Sequence, residues 1–154
     1  MTRTKRSPAG DALTGLILDL FRANGLLLTA GDRLVASLGL TSARWQILGA
    51  IVDAERPEPV AWLARNLGAN RQNVQRIVND LERDGLVVFE TNPHHRRAQL
   101  VVLTDKGRQI YDAAGRLQVP WVNGLSDGLS VKEIETAHRV IGALRDRLEG
   151  SGEG

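Results

Sequence analysis

Cysteine is absent from the 154 residues, which excludes disulfides, thiolate zinc sites, cysteine nucleophiles and thiol-based sensing together. Aromatic residues are scarce, at 4% of the chain, so base stacking on aromatic platforms, the usual basis of single-strand binding, is disfavoured. Uninterrupted apolar runs are short, which speaks against a membrane-spanning segment. The basic start, with Arg3, Lys5 and Arg6, leads into an amphipathic rather than a continuously apolar stretch, against a secretory signal; a cytoplasmic location with no membrane partner is expected. Charge of one sign is not in excess either: 20 Lys and Arg face 18 Asp and Glu. Catalytic parts do not converge, for there is no Gly-rich phosphate loop and no His-x-x-x-His. An enzyme is not expected, nor a cofactor. Adjacent His94 and His95 cannot easily ligate one ion together, and no carboxylate or cysteine cluster joins them, so no metal is expected.

What is present is helical periodicity. From about Asp11 to Leu38, apolar residues recur at steps of three and four, predicting a long amphipathic helix that Gly25 and Gly31 could bend or break. Thr41 caps a second helix carrying Trp45, Leu48, Ile51 and Val52. Pro59 can open a short third helix that stops at Gly68, and Asn70 caps a fourth that stops at Gly85. Two short helices around a tight Gly-containing turn suggest a helix-turn-helix.

After Gly85 the period changes. Residues 86–91 and 98–103 are rich in β-branched and apolar side chains and read as two strands, joined by the polar turn Asn92-Pro93-His94-His95-Arg96-Arg97. Thr104 then caps a fifth helix, which Pro120 should kink or break. Ser130 and Glu133 form the capping box of a last helix, and a disordered tail is expected from Gly150. The fold class is mainly α: a winged helix-turn-helix of six helices plus a β-hairpin wing.

The fourth helix carries the functional signal. At 100° per residue, Val74, Ile77, Val78 and Leu81 share one direction, and Gln72, Arg76, Asn79 and Arg83 the opposite one, flanked by Asn73 and Gln75. Glutamine and asparagine pair bidentately with adenine, and arginine with guanine, on major-groove edges. Arg71 near the helix start suits a phosphate, and Arg96 and Arg97 at the hairpin tip suit phosphates or the minor groove. The expected partner is double-stranded DNA, with Arg71, Gln72, Asn73, Gln75, Arg76, Arg96 and Arg97 as its contacts. Two other classes remain open. A winged-helix protein-protein interaction module would offer an apolar patch in place of this polar stripe, and an enzyme would need converging catalytic groups.

The stretches Val60 to Gly68, Asn70 to Val78, Asp80 to Val87 and Arg96 to Gly107 together resemble the MarR family of regulators. The resemblance implies a cytoplasmic homodimer intertwined through terminal helices, with residues 11–40 and 104–149 as dimerisation helices and 41–103 as the DNA-binding lobe. It also implies a pseudo-palindromic operator and repression relieved by a small ligand. Where the family wing reads Asp-Arg-Arg, this sequence has His95 before Arg96 and Arg97, so the wing lacks that carboxylate and would gain positive charge in mildly acidic solution. An aromatic or phenolic effector pocket bordered by Phe21 and Trp45 is a further expectation; core packing is the plainer account of Trp45. His138 reads as a packed or interface histidine.

Overall fold

A computed structural model describes residues 4–152. Arg3 lies outside them. Two compact units divide the chain, Met1–Leu117 and Gln118–Gly154.

The first unit opens with α1, Pro8–Val35. Ser7 caps it by accepting from the Gly10 N–H at 3.0 Å, and Pro8 sits where a missing N–H costs nothing. The helix passes Gly25 and Gly31 without a break. At Gly31 the reason is packing: a Cβ there would run into the Ser42 hydroxyl. Ser42, at the start of α2 (Ser42–Asp53), is buried, donating its N–H to Asp32 Oδ1 at 2.7 Å and its hydroxyl to the Leu28 carbonyl at 2.7 Å. The glycine thus lets α2 seat against α1 with every polar group satisfied. Between them a 3-10 turn, Ala36–Leu38, ends at Gly39 with φ +73°, a left-handed conformation that favours glycine.

The helix α1 is also more apolar on average than its short uninterrupted runs suggest. Pro8–Leu38 is long and apolar enough, by length and composition alone, to cross a membrane. Uninterrupted runs are short because Asp19, Arg22 and the glycines punctuate the leucines, yet the average over an unbroken helix stays high. None of that apolar window is buried within the chain; Phe21 is 73% exposed.

Three strands follow in the order β1 (Glu58–Pro59), β3 (Leu100–Leu103), β2 (Val87–Glu90), all antiparallel. The register Val87↔Leu103 to Glu90↔Leu100 makes the hairpin. The strand β1 was not foreseen, because two residues, one a proline, carry no alternation. Its proline stands on a sheet edge, where a missing donor is tolerated. Pro59 consequently precedes α3 (Val60–Leu67) as its N-cap rather than opening it. The core joins Val35, Leu48, Leu63, Val74, Val78, Leu81, Val87 and Val101 from the helices and the sheet, all nearly inaccessible.

Next, α5 (Asp105–Leu125) runs from the first unit into the second. Thr104 caps it, accepting from the Gly107 N–H at 3.0 Å. Pro120 does not break it, since losing one hydrogen bond within a 21-residue helix leaves bonded turns on both sides. The second unit contains α6 (Val131–Ser151), capped by Ser130, whose Oγ accepts from Glu133 N–H at 3.1 Å and donates to Glu133 Oε1 at 3.0 Å. Contrary to the expected disordered tail, Gly150 and Ser151 continue α6; Glu153 and Gly154 lie outside the described residues. The apolar residues Val131, Ile134, Ile141 and Leu148 of α6 are all exposed.

Candidate nucleic-acid interface

The helix-turn-helix is built by local chemistry. α3 ends at Gly68, φ +61°, whose N–H donates to the Arg65 carbonyl at 3.1 Å while the Ala69 N–H donates to Ala64 at 2.9 Å. This left-handed ending turns the chain within three residues. α4 (Arg71–Arg83) then starts at Asn70, whose Oδ1 accepts from the Asn73 N–H at 3.1 Å.

The two faces of α4 fall as the periodicity predicts. Val74, Ile77, Val78 and Leu81 are buried. Arg71, Gln72, Asn73, Arg76, Asn79 and Arg83 are exposed, and Gln75 is half-buried. Along the outer face the side chains brace one another: Arg76 Nη2 donates to Asn73 Oδ1 at 2.6 Å, and Gln75 Nε2 to Asn79 Oδ1 at 2.9 Å. Bracing of this kind lowers the rotamer entropy that base contact would otherwise have to take away.

The wing turn is held by its own backbone. His94 N–H donates to Asn92 Oδ1 at 3.0 Å, His95 N–H to the Asn92 carbonyl at 3.2 Å, and Ala98 N–H to the His95 carbonyl at 3.1 Å. His94, His95, Arg96 and Arg97 all face solvent. A cleft of about 90 Å³ between wing and helix is lined by Arg71, Gln75 and Arg97, with no carboxylate in its wall. Three of the seven expected contacts therefore meet at one place. Arg96 lies at the tip outside this cleft. Arg71, Arg76, Arg96 and Arg97 form no ion pair among the described residues, so their charge is available to an anion.

Comparison with known proteins agrees with this geometry. The MarR family profile matches residues 38–98, the part that runs from just before α2 through β2 and the wing turn. An uncharacterised protein of Mycobacterium tuberculosis is 37% identical over 139 residues, covering 88% of this chain and 96% of that protein. The transcriptional activatory protein BadR of Rhodopseudomonas palustris is 32% identical over 109 residues, 68% of this chain and 61% of BadR. Among solved structures, the MarR-family regulator Sco5413 of Streptomyces coelicolor superposes with TM-score 0.77 at 27% identity, covering 90% of this chain and 96% of that one. The chain belongs to the MarR family.

As a MarR-family protein it is a DNA-binding transcriptional regulator of the winged-helix type. The M. tuberculosis regulator MosR in complex with DNA shares the fold, with TM-score 0.75 at 24% identity, over 88% of this chain and 96% of MosR.

Other sequence-predicted residues fall elsewhere. Trp45 is half-buried against the core, whereas Phe21 is exposed on α1. His138 is exposed on α6. Lys5 and Arg6 are exposed, with Arg6 Nη1 3.5 Å from Asp11 Oδ1. One pattern was overlooked: Gly124-Leu125-Ser126-Asp127-Gly128 spells G-x-S-x-G. A nucleophile elbow needs a strand-to-helix turn. These residues instead close α5, with the Ser126 hydroxyl donating to the Asn123 carbonyl at 2.8 Å.

Sequence reasoning also missed an ionic cluster at the far end of α4. Arg44 Nη2 lies 3.6 Å from Asp80 Oδ2, and Arg44 Nη1 lies 3.3 Å from both Asp84 Oδ2 and the Gly39 carbonyl. Arg83 Nη2 takes Asp80 Oδ1 at 3.0 Å, and Lys106 Nζ donates to the Asp84 carbonyl at 2.8 Å. A signal existed: two carboxylates at the negative end of a helix call for cations nearby.

Proposed function

We propose that this regulator binds a pseudo-palindromic operator as a homodimer, using α4 for base reading and the wing for backbone contact. In this reading Gln72, Asn73, Gln75 and Arg76 address base edges in the major groove, while Arg71, Arg96 and Arg97 hold phosphates or enter the minor groove. The observation that carries it is the two-faced α4: an aliphatic row anchored in the core and an amide-and-guanidinium row in water, with Arg97 beside its start.

The dimer follows from exposed apolar surface. Leu18, Phe21, Leu26 and Leu27 on α1, and Ile134, Ile141 and Leu148 on α6, lie in water in the single chain. Burying such side chains contributes roughly 1.5–3 kcal/mol each, and an apolar surface of this kind marks an interaction site. A second copy is the expected cover, and it accounts for the apolarity of α1 without a bilayer, in keeping with a cytoplasmic protein. Residues 11–40 and 104–149 are then the dimerisation helices and 41–103 the reading lobe, setting two recognition helices roughly 34 Å apart, one turn of DNA.

Repression is the proposed sense of regulation, relieved by an aromatic or phenolic effector held near Phe21 and Trp45. Activation is the second reading, favoured by the 32% identity to BadR, which is named as an activatory protein. Selection of duplexes from a random pool by the purified protein, followed by gel shifts of the enriched sequence across salt concentrations, tests the DNA reading. Enrichment of no sequence would overturn it. Transcript levels of the genes beside the enriched site, compared with and without the protein, decide between repression and activation.

A further inference from the structure

We propose that Arg44 is a positioning residue for Arg76: by holding Asp80, it keeps that carboxylate from capturing the base-reading guanidinium. The inference rests on the DNA-binding reading above and adds to it a requirement in a residue that lies outside α4 and the wing.

The helical spacing sets the problem. Asp80 is four residues after Arg76, so one helical turn separates them on the same flank of α4, the separation at which opposite charges on a helix pair. An arginine drawn into such a bridge lies back along its own helix, with its fork occupied, and cannot present two parallel N–H donors to a guanine edge. Left to itself, α4 would tend to quench its own reader.

The structure resolves this by giving Asp80 other partners. Its Oδ1 takes Arg83 at 3.0 Å and its Oδ2 takes Arg44 at 3.6 Å. Arg76 is held instead by the neutral amide of Asn73, at 2.6 Å on the side toward the helix start. Of the two arginines on Asp80, Arg83 is 74% exposed and Arg44 only 26%. The exposed pair is weakly held and easily exchanged. Arg44, on α2, is anchored further by the Gly39 carbonyl and by Asp84, both at 3.3 Å, so it is the steady partner. An amide releases an arginine to DNA at little cost, whereas a carboxylate would compete with the base.

The test uses the full-length protein, the duplex it enriches from a random pool, and a scrambled duplex of the same length and composition. The readout is the ratio of the two affinities at fixed salt. Arg44→Ala is expected to lower this ratio about five- to a hundredfold, the span of one lost bidentate base contact. Adding Asp80→Asn to that variant is expected to restore it to within about twofold of the parent, because no carboxylate remains to take Arg76. Simple electrostatics would shift both affinities together and leave the ratio alone. An unchanged ratio in Arg44→Ala overturns the proposal. So does a lowered ratio that Asp80→Asn fails to rescue, which would mean that Arg44 acts on DNA directly or only by supporting the fold; thermal melts of both variants separate those two. If the parent protein enriches no duplex, the DNA reading itself falls, which is a distinct result from a parent that selects and a variant that selects equally well.

Discussion

Asn73 accepts a 2.6 Å hydrogen bond from Nη2 of Arg76, within the exposed face of α4. The guanidinium is therefore held within that exposed face by a neutral amide in the free protein, and Asn73 is the group that holds it. Arg76→Ala is expected to cost about 1–3 kcal/mol of binding to the selected duplex and to relax base preference at one position of each half-site. Asn73→Ala should relax preference at the same position by a smaller amount. Competition gel shifts against single-base operator variants would show this, and equal losses at every position would contradict the assignment.

Arg97 should behave differently. It lines the same small cleft as Arg71 and Gln75 but sits on the wing, which the proposed reading sets against the sugar-phosphate backbone. Arg97→Ala is expected to weaken binding to selected and scrambled duplexes alike. It should also reduce the slope of log affinity against log salt by about one phosphate contact, roughly 0.9. A change confined to the selected duplex would move Arg97 to the base-reading group.

The two faces of α4 were legible in the sequence because the helix carries two signals at once: an aliphatic row of helical period and capping residues at Asn70 and Gly85. The hairpin was legible through its change of period. Other features rest on relationships that no local window holds. β1 is two residues long and exists only because β3 offers it an edge. Arg44 meets Asp80 and Asp84 across 36 and 40 positions of chain, so its role emerges only on folding. Gly31 looked like a helix breaker, and its neighbour Ser42 turns it into a packing position.

Gly107 marks a joint of a different sort. A Cβ at this position would run into the Leu86 carbonyl oxygen and crowd a Leu103 methyl group, where α5 leaves the hairpin and Thr104 bonds back to Gly85 and Leu86. Backbone cannot yield as a side-chain tip can, so Gly107→Ala should destabilise by about 1–3 kcal/mol. Thermal denaturation would register it. Gly115→Ala, on the same helix with open space around it, is the control and should be neutral or slightly stabilising through helix propensity.

Exposed leucines on α1 give a test of assembly. Phe21→Asp places a charge about one turn from Leu18, which like Phe21 is exposed in the single chain. If a second copy covers this face, the variant should sediment as a monomer or show a dimer constant weakened by several orders of magnitude, since a buried unpaired carboxylate is heavily penalised. DNA affinity would fall with it, because two half-sites would no longer be engaged together. A variant that remains dimeric by sedimentation would place the interface elsewhere.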